Sequence, residues 1–151
     1  MKLTGSIVLY NNQYLELEKA TDSFTASNLP KKLYLIDNAA SKPQVGTRSE
    51  VTTYIYNYSN LGFGSGHNIA LTLSQADNAP YHLVMNPDVF FEPSVLEKLV
   101  QFMDHHPDVG LVMPKILYPD GTLQYLCKLL PTPVDLIGRR FFPFLPWCQK
   151  R

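Results

Sequence analysis

The chain has 151 residues, 45% of them hydrophobic and 17% charged, with 13 basic and 13 acidic side chains and a formal net charge of zero. That length suits one domain able to bury about 70% of its unfolded surface, and the composition excludes a disordered chain. Zero net charge argues against a nucleic-acid partner, which calls for a basic excess; a nucleotide ligand needs only a local site. Cys127 and Cys148 lack metal-ligand spacing and are expected to be free thiols in a cytoplasmic protein. The apolar run near the N-terminus is too short for a signal peptide, and no stretch approaches the ~20 apolar residues of a spanning helix.

Strand and helix signals alternate along the chain. Ser6 to Tyr10 is a short apolar run ended by Asn11-Asn12, a strand and a turn. Tyr14 to Phe24 carries Leu17, Ala20, Thr21 and Phe24 at helical spacing, and Pro30 closes the segment. Leu33 to Ile36 predicts a second strand ended by Asp37-Asn38, and the β-branched and aromatic Val51 to Tyr56 a third. A glycine-rich loop then leads into a small-residue helix from Asn68 to Ala76. Tyr81 to Met85 is a buried strand stopped by Asn86-Pro87-Asp88. Ser94 to Met103 is the clearest helix, with Ser94 and Glu97 in a capping-box pattern. Val109 to Met113 predicts one more strand, and Pro119-Asp120-Gly121 the turn of a hairpin joining Lys115–Tyr118 to Thr122–Tyr125. The order implies an α/β fold, a mainly parallel sheet with helices on both faces, over residues 1–130. From 131 to 151 prolines and aromatics replace all periodicity.

Ligands of an open parallel sheet bind beyond the carboxyl ends of its strands. Tyr10-Asn11, Asp37-Asn38, Asn60 and Asn86-Pro87-Asp88 all follow predicted strands, so one crevice can gather them. Asp37 suits a hydrogen bond from a base N–H or a ribose hydroxyl, or equally a turn of its own backbone. Asp88 suits a divalent cation bridging a diphosphate, or a cap for the next segment. Gly62, Gly64 and Gly66 let backbone approach a ligand ahead of a helix N-terminus, but match neither the dinucleotide fingerprint nor the P-loop. His67 is open between phosphate donor and plain helix residue, and His105-His106 are expected to be a solvated helix end.

In this order, Ser6-Ile7-Val8-Leu9-Tyr10-Asn11, Ile36-Asp37-Asn38-Ala39-Ala40, Asn60-Leu61-Gly62-Phe63-Gly64-x-Gly66-x-Asn68 and Met85-Asn86-Pro87-Asp88-Val89 resemble family 2 glycosyltransferases. Val109 to Lys115 and Tyr118 to Gly121 extend the similarity toward that family's rhamnosyltransferase-like branch. The resemblance implies a GT-A, Rossmann-like fold and transfer of a sugar from a nucleoside-diphosphate sugar to a saccharide or lipid-linked acceptor in bacterial surface polysaccharide synthesis. It implies that Tyr10 and Asn11 line the nucleotide, and that Asp37, with Asn38, contacts base or ribose. It implies that Asn60, Gly62, Gly64, His67 and Asn68 run past ribose and diphosphate, and that Asn86 and Asp88 form the metal motif for Mg²⁺ or Mn²⁺, Asn86 standing in place of the first acid. The family's catalytic base lies in a second half; Glu92, Glu97, Asp104, Asp108, Asp120 and Asp135 match no such motif, so the chain is expected to be truncated and to bind donor without turnover. A non-catalytic nucleotide-binding module is the alternative. Arg139 to Trp147 joins basic to aromatic residues, which suits peripheral contact with the inner face of a membrane or packing against the second half. Self-association is left open.

Overall fold

Leu3–Leu9 forms β1, buried along its whole length because both faces of this strand are covered. Its alternation is legible residue by residue. Leu3, Ile7 and Leu9 enter one apolar cluster, whereas Val8 enters another and Thr4 and Ser6 bond to polar groups on that second face. The computed structural model describes residues 1–11, 14–39 and 49–124. Within them follow α1 (Tyr14–Thr25), β2 (Lys31–Asp37), β3 (Thr52–Tyr56), α2 (Phe63–Ala76), β4 (Tyr81–Met85) and α3 (Ser94–His105). All strand pairs are parallel and their order is β3-β2-β1-β4. Parallel neighbours need crossovers, and α1 and α2 supply two of them. The predicted fold class is therefore observed.

The helices divide between the two faces. Leu17, Ala20 and Phe24 of α1 join Leu96 of α3 against Leu3, Ile7, Leu33, Leu35 and Met85. Ala70 of α2, with Ile69 and Leu73, packs on Val8, Tyr34, Ile36 and Ile55. Each fully buried large side chain contributes about 1.5–3 kcal/mol. Gly5 lets α1 approach the sheet: a Cβ there would lie 2.5 Å from Cε2 and 2.9 Å from Cζ of Phe24, and 3.3 Å from Cδ1 of Leu33. Phe24 is fully buried in the core cluster, so its ring can move only by displacing other core side chains. Gly5→Ala is therefore expected to cost about 1–3 kcal/mol, although a glycine leaves a strand. Urea unfolding of Gly5→Ala, alone and with Phe24→Leu, checks this; the second change should restore part of the loss, and a neutral Gly5→Ala would show that the ring is not the obstacle.

Four expectations change. The glycine-rich segment is not a loop ahead of α2: the helix begins at Phe63, so Gly64, Gly66, His67 and Asn68 lie inside it. Glycine lowers helix propensity, but Gly66 is buried where a Cβ would meet Val8 Cγ2 at 2.7 Å, so the close approach of α2 to β1 calls for it. Ser94 and Glu97 make no capping box, because Pro93 occupies the N-cap and Ser94 is already helical. Glu97 instead accepts hydrogen bonds from Ser27 Oγ and the Asn28 amide, both at 3.2 Å, tying α3 to the end of α1. Val109–Met113 is not a strand; among the described residues no neighbour completes its backbone pairing, and Leu111 is 88% exposed. The hairpin is shorter than predicted: Leu117 bridges Leu123 antiparallel, flanked by the Tyr118 amide on the Thr122 carbonyl and the Gln124 amide on the Ile116 carbonyl, and the Gly121 amide on the Tyr118 carbonyl closes the turn. The chain divides into two compact units, Met1–Val112 and Met113–Arg151, and this bridge belongs to the second. The cysteines, Asp135, the change of character after Leu130 and the basic-aromatic tail lie outside the described residues.

Candidate functional site

Because every strand is parallel, all four carboxyl ends share one edge of the sheet. The chain steps outward from β1 to β2 and β3, then returns to β4 on the other side of β1. In sheets with such a reversal, ligands bind beyond the carboxyl ends of the strands at the point of reversal, here between β1 and β4. Tyr10-Asn11, Asp37-Asn38, Asn57 and Asn86-Pro87-Asp88 stand at the ends of β1, β2, β3 and β4 at that edge, Asp37 being the last residue of β2. Tyr10, Asn11, Asn60, Gly62, Gly64, Asn68, Asn86 and Asp88 are exposed; Asp37, Asn38 and His67 are buried.

The buried members build the edge. Asp37 is fully buried; its Oδ1 accepts the Ala39 amide at 2.7 Å and its Oδ2 accepts the Tyr54 hydroxyl. Burial first, and then the Asp37 carboxylate, keep the Tyr54 proton in place well above the usual phenol range. Asn38 Nδ2 donates to the Gly62 carbonyl at 3.0 Å while its Oδ1 accepts Asn57 Nδ2 at 2.8 Å. One side chain thus ties the ends of β2 and β3 to the start of α2. Asn60 Oδ1 accepts the Gly62 amide at 2.9 Å, and Gly62 takes φ +82°, a left-handed value that a side chain would resist. Gly66 brings α2 onto β1, since a Cβ there would meet Val8 Cγ2 at 2.7 Å.

His67 does not stand free at the helix start. Its Nδ1 lies 2.7 Å from Ser6 Oγ, its Nε2 is buried without a partner among the described residues, and burial lowers its pKa. Ser6 Oγ also lies 2.7 Å from Nε2 of His82, whose Nδ1 is 2.7 Å from Thr4 Oγ1. Burial, reinforced by His67, pushes the His82 imidazole down to about 4. The sequence reading missed this group. Its signal was parity: Thr4 and Ser6 are polar at alternate positions of an apolar strand, and His82 interrupts another.

Residues 6–141 match the profile of the family described as Glycosyl transferase family 2. The chain belongs to glycosyl transferase family 2. This family 2 chain also superposes on the crystal structure of S. aureus TarS residues 1–349 with a TM-score of 0.60 at 17% identity, covering 71% of the chain and 33% of TarS 1–349. A crystal structure of S. aureus TarS gives a TM-score of 0.53 at 15% identity, with 79% of the chain and 24% of TarS covered. These likenesses establish a shared GT-A-like fold, and the chain spans about a third or less of either TarS chain. No curated protein matches the sequence at significance.

In the family 2 chain the residues proposed for a metal form a sparse donor set. Among the described residues no group of three His, Cys, Asp or Glu side chains could enclose an ion. Asp88 offers one exposed carboxylate that no described side chain engages, beside the exposed amide of Asn86. Such a set fits Mg²⁺ or Mn²⁺ only if phosphate oxygens and water complete the shell, an arrangement these hard cations favour. Several acids are committed elsewhere: Asp104 accepts Lys2 Nζ at 2.9 Å and the Tyr81 hydroxyl at 2.7 Å, Asp120 accepts the Thr122 amide and hydroxyl, and Glu97 holds Ser27. His105 and His106 are exposed at the end of α3, each ring nitrogen near a carbonyl one turn back. Among the described residues no helix is long and apolar enough to cross a membrane.

Proposed function

We propose that this chain binds the nucleotide of a nucleoside-diphosphate sugar along the carboxyl edge of its sheet, for transfer of the sugar to a saccharide or lipid-linked acceptor. The observation that carries the reading is the placement of polar residues at four parallel strand ends along one edge of the sheet, in a family 2 chain. Tyr10 and Asn11 would border the nucleotide, with Asp37 and Asn38 shaping the base and ribose side. Asn60, Gly62, Gly64 and Asn68 would flank the diphosphate near the α2 N-terminus, where helix amides favour anions. Asp88, helped by Asn86, would hold Mg²⁺ or Mn²⁺ against the diphosphate. When bound, the ion supplies Lewis-acid stabilisation of the charge growing on the leaving diphosphate. The acceptor hydroxyl must lose its proton to a positioned base, which we assign outside the described residues. A rhamnosyl or related donor and a role in surface polysaccharide synthesis belong to this proposal.

Calorimetry with uridine diphosphate tests it. Binding is expected with Mn²⁺ and to weaken by about tenfold or more, some 1.4 kcal/mol, on adding chelator or in Asp88→Ala. Equal affinity with and without metal would remove Asp88 from the metal role; absence of binding under all conditions to this and to thymidine diphosphate would sink the donor reading.

A further inference from the structure

A run of polar side chains lies beneath α2 that nucleotide binding does not require. Ser74 Oγ is 2.5 Å from Thr4 Oγ1, Thr4 Oγ1 is 2.7 Å from His82 Nδ1, and Ser6 Oγ lies 2.7 Å from both His82 Nε2 and His67 Nδ1. Three elements meet in it: Thr4 and Ser6 from β1, His82 from β4, His67 and Ser74 from α2. The Ser6 hydroxyl has one proton, so it donates to one imidazole and accepts from the other. The two rings must therefore take matching tautomers, both Nε2–H or both Nδ1–H, and the run behaves as one unit. The remaining ionisable groups on this face form a separate set, with Lys32 Nζ at 3.1 Å from Asp77 Oδ2 and the Tyr34 hydroxyl on the same carboxylate.

The arrangement is a costly way to fill space. His67 Nε2 is left buried and unpaired among the described residues, whereas an apolar trio of similar shape would strand no polar atom. What the polar run provides is direction. The apolar contacts of α2, through Ala70, Ile69 and Leu73, are non-directional, and the Asn38 bond to the Gly62 carbonyl holds only the residue ahead of the helix. Hydrogen bonds to Ser6 fail outside a narrow range of distance and angle.

We propose that Ser6, His67 and His82 are positioning residues: the Ser6 bridge sets the axial register of α2 against β1 and β4, and so places the first turn of α2 at the carboxyl edge it shares with Asn86 and Asp88. The consequence for ligand affinity rests on the donor reading; the register itself does not. His67 acts through the helix it belongs to and not as a phosphate donor.

Two variants and two readouts separate the possibilities. Ser6→Ala leaves His67 in place and removes only the bridge. Hydrogen exchange of the Gly66–Leu71 amides should accelerate by about tenfold relative to those of β2, and uridine diphosphate affinity with Mn²⁺ should fall by about tenfold in the folded protein. Unchanged exchange at Gly66–Leu71 overturns the proposal. The variant Ser6→Ala/His67→Leu/His82→Leu strands no polar atom, so it should fold with stability close to the parent and yet keep the weakened affinity. Parent-like affinity there would show that the trio only fills space and would overturn the proposal. If the parent binds no nucleotide the donor reading falls, and the exchange comparison decides the register by itself.

Discussion

Asp37→Ala is expected to destabilise the chain by about 3–5 kcal/mol, the range for stripping a buried, multiply bonded charged acceptor. The carboxylate is fully buried and holds both the Ala39 amide and the Tyr54 hydroxyl, joining the end of β2 to β3. Removing it takes the acceptor from the buried Ala39 amide and from the half-buried Tyr54 hydroxyl, and leaves a void at the edge where the ligand is proposed to sit. Against a total stability of about 5–15 kcal/mol for such a domain, this is a large fraction. Asp37→Asn keeps an acceptor for the Ala39 amide, and the Tyr54 hydroxyl can rotate to accept in turn, so its cost should be about 1 kcal/mol. Urea denaturation of both variants measures the difference. A small effect in Asp37→Ala would mean that the carboxylate is solvated in solution and free for a ligand.

Acidification from pH 7 to pH 4 is expected to remove about 2–3 kcal/mol of stability through His82, a pKa difference discounted for its partial exposure. In the unfolded chain this imidazole takes up a proton near its ordinary value of about 6.5. In the folded chain burial and the neighbouring His67 hold it down to about 4. Above about 6.5 both states are neutral and nothing is lost. Between that value and about 4 only the unfolded state gains the proton, so stability falls, and the loss is complete below about 4. His67, also lowered by burial, acts in the same direction. Asp77, Asp104 and Asp120, each held below the usual carboxylate range by hydrogen bonds, add their losses at lower pH. Denaturant midpoints from pH 7.5 to 4.5 give the profile. His82→Leu should flatten it above pH 5; an unchanged slope in that variant would place the acid sensitivity elsewhere.

Periodicity exposed the apolar half of this protein and left the polar half hidden. Leu17, Ala20, Thr21 and Phe24 marked α1 because a helix repeats its buried face every three to four residues, and all four are buried. The parallel sheet was legible because strands that alternate with helices need crossovers. Boundaries were less so. The glycines around Gly64 signalled a loop, whereas α2 already runs through Gly64 and Gly66, and Gly66 is the one at which a side chain would meet Val8. Ser94 and Glu97 had capping spacing, yet a one-residue shift in where α3 starts gave Glu97 a different partner.

Fold class, family and the polar edge of the sheet were all legible in the chain, since they follow from local pattern and from the order of short motifs. Tertiary structure alone decided which of those polar residues face solvent. Asp37, Asn38 and His67 looked equivalent to Asn60 and Asp88 in the chain, but hydrogen bonds to Tyr54, Gly62, Asn57 and Ser6 turn the first three inward. Those partners lie between 17 and 61 residues away. Pairing of that kind depends on which strands become neighbours and on their register, and no local pattern carries that information.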